Sequence, residues 1–145
     1  HGRKHTARCA YRIMDTRMCL CLYGEMYVVD LAKVMYFQAD DHYTHVYYSS
    51  GTHFMVPFGL ARVEAAVSDF LGCGSFLVRL GRGHIVNMHR VFHVSTVRQE
   101  LRLSDDQGST LVLHLPKQVL RGLMSVLSER KKPPVTAGRD IKNNQ

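Results

Sequence analysis

Short apolar-dense segments separated by polar and glycine breaks make up most of this chain, and only two stretches change to a helical period. Apolar-dense segments at Met18–Tyr23, Met26–Val29, Val34–Ala39 and Tyr43–Tyr48 are poor in helix formers and are broken by Gly24-Glu25 and by Asp40-Asp41-His42, which predicts strands. Ser49-Ser50-Gly51 is a turn signal joining the last of these to Thr52–Val56 as a hairpin. Pro57 then opens a helix in which Leu60, Val63, Val67 and Phe70 share one face, and Gly72 and Gly74 close it. Beyond Phe76–Asn87, strands are expected at Arg90–Thr96, Glu100–Leu103 and Thr110–Leu115, the last two joined across a polar loop. Pro116 starts a second helix with Val119, Leu120, Leu123, Met124 and Leu127 as its apolar stripe. Gly122 weakens that helix by about 1 kcal/mol relative to alanine. The pattern describes a mostly-β domain over residues 18–128 with two short helices, between a basic segment 1–17 and a tail 129–145 that both read as flexible.

Phe76–Asn87 is an apolar run interrupted by Gly81-Arg82-Gly83. A guanidinium between two glycines has no adjacent side chain to cover it or pair with it, and glycine lets the backbone bend and approach a ligand closely. A planar, permanently charged head with five donors suits a phosphate or the guanine edge in a major groove. The plainer alternative is a tight turn with a solvated arginine.

A chain of 145 residues, 46% of them hydrophobic, holds one domain with a core. No apolar run approaches the roughly 18 residues of a membrane span and no leader pattern opens the chain, so a cytoplasmic protein is expected. Cys9, Cys19, Cys21 and Cys73 do not suggest a disulfide framework, because Cys19 and Cys21 share a strand face and bridge each other poorly. The net charge of +7 resides in the ends: residues 1–17 contribute +4 and residues 129–145 contribute +3. Residues 18–128 are neutral but polarised, at −4 over 18–75 and +4 over 76–128. A neutral domain with one basic half can present a basic face to phosphates, whereas basic tails alone bind any polyanion.

Seven histidines lie within the expected domain, but His42 and His45 point to opposite faces of a strand, and the surroundings of His89 and His93 read as a strand that separates them, so no metal site is expected. No nucleophile stands beside a base at a recognisable spacing, and Gly81-Arg82-Gly83 lacks the third glycine of a dinucleotide loop and the lysine of a P-loop. Neither an enzyme nor a cofactor is expected. Tyr36, Phe37, Tyr43, Tyr47 and Tyr48 offer a stacking surface for single strands, or serve as core and cross-strand pairs.

Asp30-Leu31-Ala32-Lys33-Val34-Met35-Tyr36-Phe37-Gln38-Ala39, the Gly51-Thr52 turn, Leu60 and Val63, and above all Phe76–Asn87 with its closing Val-Asn carry a likeness to a known family. Over about Met18–Leu127 the chain resembles the LytTR family of bacterial DNA-binding domains. The resemblance implies an elongated arrangement of small antiparallel β-sheets whose connecting loops, in place of a recognition helix, enter successive major grooves. Its base-contacting positions fall on Thr44 with neighbouring His45, on Arg82 and on Lys117, and its phosphate contacts fall near Gly59, Gly83 and Gln118. A helix start offers free N–H donors and partial positive charge to a phosphate. The chain departs from the family pattern at Gly81, Gly83 and Pro116-Lys117, where a histidine, a serine and a Ser-Arg pair are usual, and lysine replaces a bidentate fork by a point charge.

The expectation is sequence-specific binding of double-stranded DNA, as the output domain of a bacterial transcription regulator of a two-component system. Paired direct repeats and two copies on the DNA, as a homodimer there, follow from the resemblance. The 17 residues before Met18 are too few for a receiver or a sensor kinase, so an excised output domain or a stand-alone regulator is expected. The alternatives are an OB-like module for single-stranded nucleic acid and a protein-interaction domain.

Overall fold

The computed structural model describes residues 15–131, in which strands of three antiparallel sheets and two helices follow one another. β1 (Arg17–Leu22) and β2 (Glu25–Asp30) form a hairpin. Its two-residue turn has Tyr23 at φ 51° and Gly24 at φ 78°, the left-handed pair whose twist suits a tight hairpin. A 3-10 turn over Leu31–Lys33 leads into β3 (Val34–Asp40), β4 (Tyr43–Tyr48) and β5 (His53–Val56). After α1 (Leu60–Leu71), β6 (Leu77–Leu80) and β7 (His84–Asn87) complete a five-stranded sheet of order β5-β4-β3-β7-β6. A second 3-10 turn, Met88–Arg90, precedes β8 (Val91–Ser95), β9 (Glu100–Ser104) and β10 (Thr110–His114), which form the third sheet. α2 (Lys117–Lys131) closes the described chain.

The five-stranded sheet is buried from both sides. One face packs Phe37, Val46, Val56 and Ile85 against Leu60, Val63 and Val67 of α1 and against Met18, Leu20 and Val29 of the first hairpin. The other face packs Tyr36, Leu80 and Val86 against Leu101, Leu103 and Leu113 of the third sheet and Leu120 and Leu123 of α2. A bulge in β3 between Val34 and Tyr36 lets Val34 serve the first core while Met35 and Tyr36 serve the second. Burial drives Tyr36 deep enough that its phenol is pushed up to about 12, with Tyr47 adding to the effect.

Buried polar groups lock the central sheet internally and to the third sheet. Buried Asn87 donates from Nδ2 to the Val34 carbonyl at 2.9 Å and accepts from the His89 N–H at 2.9 Å, so it ties β7 to β3 and caps the second 3-10 turn. Asp30 does the corresponding work at the first, accepting from the Ala32 N–H. Buried Ser49 donates to Asp106 at 2.6 Å, and Arg90 also pairs with Asp106, so the loop after β9 is anchored to the central sheet. Hydrogen bonds from Arg90 and Ser49 hold the Asp106 carboxyl below the usual carboxylate range.

Several expected boundaries move. Pro57 does not open the first helix: Pro57 and Phe58 form a bend and the helix begins at Leu60, with Gly59 as its N-cap. Arg90 lies in a 3-10 turn, so the strand after it starts at Val91. Arg17 already belongs to β1, and α2 runs past residue 128 to Lys131. Residues 1–14 and 132–145 of the expected flexible ends, Cys9 among them, lie outside the described residues. Cys19, Cys21 and Cys73 are free thiols, and no helix among the described residues is long and apolar enough to cross a membrane.

Candidate nucleic-acid interface

The antiparallel order of the central sheet gathers its chemically rich connections at one end. β3 ends there and β4 begins there across Asp41-His42; β5 ends there, leading through Pro57-Phe58-Gly59 into α1; β6 and β7 meet there across Gly81-Arg82-Gly83. The Ala39 N–H donates to the Gly83 carbonyl at 2.8 Å, joining the end of β3 to the arginine loop. On the other side, a Cβ built on Gly81 would lie 3.3 Å from Val119 Cγ2, so the loop rests against the first turn of α2, which carries Lys117 and Gln118.

Arg82 is exposed, and among the described residues no hydrogen bond or ion pair takes its guanidinium. The loop that presents it is held from behind. Arg79 donates from Nε to the Gly81 carbonyl at 3.1 Å and from Nη2 to the Arg82 carbonyl at 3.0 Å, and its Nη1 meets Glu64 of α1 at 2.6 Å. The two glycines are not equivalent. Gly81 sits at φ 68°, which a side chain rarely adopts, whereas Gly83 has no positive φ and open space around it.

Thr44 does not fit the base-contacting role expected for it. The alternation of β4 turns it inward beside Val46 and Tyr48, it is fully buried, and its hydroxyl donates to the Phe58 carbonyl at 2.7 Å. That bond holds the bend before α1 and thereby sets Gly59. His45 faces the other side of the sheet with both ring nitrogens engaged, Nε2 with Asp40 at 2.9 Å and Nδ1 with His53 at 2.8 Å. Lys117 and Gln118 are exposed, and among the described residues no hydrogen bond or ion pair takes the Lys117 ammonium. Gly59 caps α1 without any side-chain hydrogen bond, so the first-turn donors of that helix remain free of a side-chain cap.

Arg62, in the first turn of α1, escaped the sequence reading. Its guanidinium lies 5.2 Å above the Phe58 ring, and α1 has no acidic residue in that turn. A cation at a helix N-terminus is unfavourable by itself, so an arginine three residues after the capping glycine was the available signal. The basic half is less free than its charge count implies. Arg79, Arg90 and Arg102 are neutralised by Glu64, Asp106 and Glu100.

Tyr47 does not offer a platform for a nucleobase. Tyr36 stacks on one of its faces at 4.4 Å and His53 on the other at 4.3 Å, a ladder across three neighbouring strands. Among the described residues no group of three or more His, Cys, Asp or Glu converges as a metal site would require. His84, half-buried beside the loop, has its imidazole pushed below the ordinary histidine value by burial.

Three antiparallel sheets with two helices, and the exposed cations Arg82 and Lys117 brought together near one end of the central sheet, define a mostly-β domain with its free positive charge on a loop and a helix start. The sequence profile described as the LytTr DNA-binding domain matches residues 24–118, and the chain belongs to that LytTR family. A solved structure from Bacillus cereus, described as the LytTr DNA-binding domain of a methyl-accepting/DNA response regulator, shares the fold with a TM-score of 0.52 at 19% sequence identity, over 78% of this chain and 97% of that one. No curated protein matches the chain.

Proposed function

We propose that this domain reads double-stranded DNA sequence-specifically, as the cytoplasmic output domain of a bacterial transcription regulator in a two-component system. The observation that carries the reading is the unpaired Arg82 guanidinium on a loop braced by Arg79, at the sheet end where three connections and the start of α2 meet. Arg82 is the guanine reader, since its fork matches the O6 and N7 acceptors in the major groove. Lys117 contributes a point charge to a base or to the backbone. His45 reaches a base only by exchanging its bond to Asp40 or His53. Gly59, Gly83 and Gln118 face the phosphates, with Arg62 beside Gly59 as an added cation. Two copies occupy paired direct repeats, and the input signal comes from a receiver outside these residues.

The test is selection of bound duplexes from a random pool, followed by fluorescence anisotropy at near-cellular salt. Arg82→Ala is expected to cost about 1–3 kcal/mol on the selected site and to relax its base preference. Lys117→Ala, as a backbone contact, weakens all duplexes alike and lowers the salt slope by roughly one unit; a loss confined to the selected site makes it a base reader. Preference for single strands, or no selectivity among duplexes, overturns the reading.

A further inference from the structure

Two arginines lie in Phe76–Asn87, and the structure gives them opposite situations. Arg82 has a free head, while Arg79 uses Nε, Nη1 and Nη2 internally, on the carbonyls of Gly81 and Arg82 and on Glu64. We propose that Arg79 is the positioning residue of the DNA-reading loop: it touches no DNA, and it fixes the direction in which Arg82 leaves the sheet by clamping the two peptide units that flank Arg82 to α1. This rests on the DNA-reading role proposed for that loop and adds the device that makes the role selective.

The physical case has three parts. A three-residue connection whose Gly81 sits at φ 68° has a backbone that other conformations compete for, because glycine populates both signs of φ. A single planar guanidinium bonding two successive carbonyls removes that freedom, since both bonds form together only when the peptide units keep one mutual orientation. Glu64 then anchors the guanidinium to α1, the helix whose uncapped start at Gly59 lies at the same sheet end. The clamp therefore joins the arginine loop and the start of α1 into one frame. A lysine at position 79 keeps a charge for Glu64 but cannot span two carbonyls and a carboxylate at once.

The experiment is a double-mutant cycle with Arg79→Lys and Arg82→Ala in the full chain, using the duplex selected from the random pool and a mixed-sequence duplex of equal length. Arg79→Lys is expected to lower affinity for the selected duplex by about 3- to 30-fold. Mixed-sequence affinity should stay within about twofold and the salt slope should not change, because no phosphate contact is lost. In the Arg82→Ala background Arg79→Lys should have no further effect, since its action passes through Arg82. A residual loss in that background, or a smaller salt slope for Arg79→Lys alone, means that Arg79 touches DNA itself and overturns the proposal. If Arg82→Ala leaves selectivity intact, the reading of the loop fails instead, which is a separate result. Should Arg79→Lys fail to fold by circular dichroism, Glu64→Gln carries the test: a loss of selectivity in the same direction supports the clamp, and unchanged selectivity overturns it.

Discussion

Replacing Thr44 by valine separates a scaffold role from a DNA contact. The side chain is fully buried, and its hydroxyl is 2.7 Å from the carbonyl of Phe58, itself almost inaccessible. Valine keeps the shape and removes the donor, leaving that carbonyl without this partner in an apolar surrounding, which costs about 1–3 kcal/mol. For a domain of this size each kcal/mol lowers the melting temperature by roughly 3–6 °C, so a fall of about 3–18 °C is expected in thermal unfolding followed by circular dichroism. Thr44→Ser keeps the donor and isolates the contribution of the methyl group. Measured at 25 °C, where the variant remains folded, the ratio of affinities for selected and mixed-sequence duplexes should not change. An unaltered melting temperature together with a loss confined to the selected duplex would put the hydroxyl on a base and refute the argument.

Gly81→Ala should destabilise by about 1–2 kcal/mol in urea unfolding, because alanine resists the left-handed backbone and its Cβ would crowd Val119, whereas Gly83→Ser should stay within about 0.5 kcal/mol; equal effects would contradict the difference between the two glycines. The lowered value of His84 gives a pH dependence of defined sign. Between its folded value and the unfolded value near 6.5 the unfolded chain binds more protons, so stability declines as pH falls through that window and is fully regained above it. His84→Gln should flatten the wild-type loss of melting temperature between about pH 7.5 and 5.5; identical pH profiles for the two proteins would remove His84 from the account.

The hairpins were legible because their turn chemistry is local. Ser49-Ser50-Gly51 reads as a hairpin turn and is one, and Gly81-Arg82-Gly83, whose plainer reading was a tight turn, connects two paired strands. Helix starts were less legible. Pro57 has the right backbone for a first helical turn, but the Thr44 hydroxyl holds the Phe58 carbonyl out of helical geometry, and that partner is fourteen residues away in sequence. The role given to Thr44 failed for a related reason. Alternation shows that Thr44 and His45 face opposite ways, but β3 is buried on both sides, at Val34, Met35, Tyr36 and Phe37, so the pattern does not say which face of the neighbouring strand meets the first core.

The order of apolar, polar and glycine positions by itself determined that the chain forms short antiparallel strands with two helices, and that Arg82 stands on a glycine loop, since these depend on backbone preferences within a few residues. Tertiary structure alone decided that the β3–β4, β5–α1 and β6–β7 connections share one end of a sheet, that Arg79 is spent on its own loop while Arg82 is free, and that Thr44 points inward. Strand order and the choice of buried face arise from contacts between residues far apart in the chain, and a periodic pattern specifies that two faces differ without specifying what each will meet.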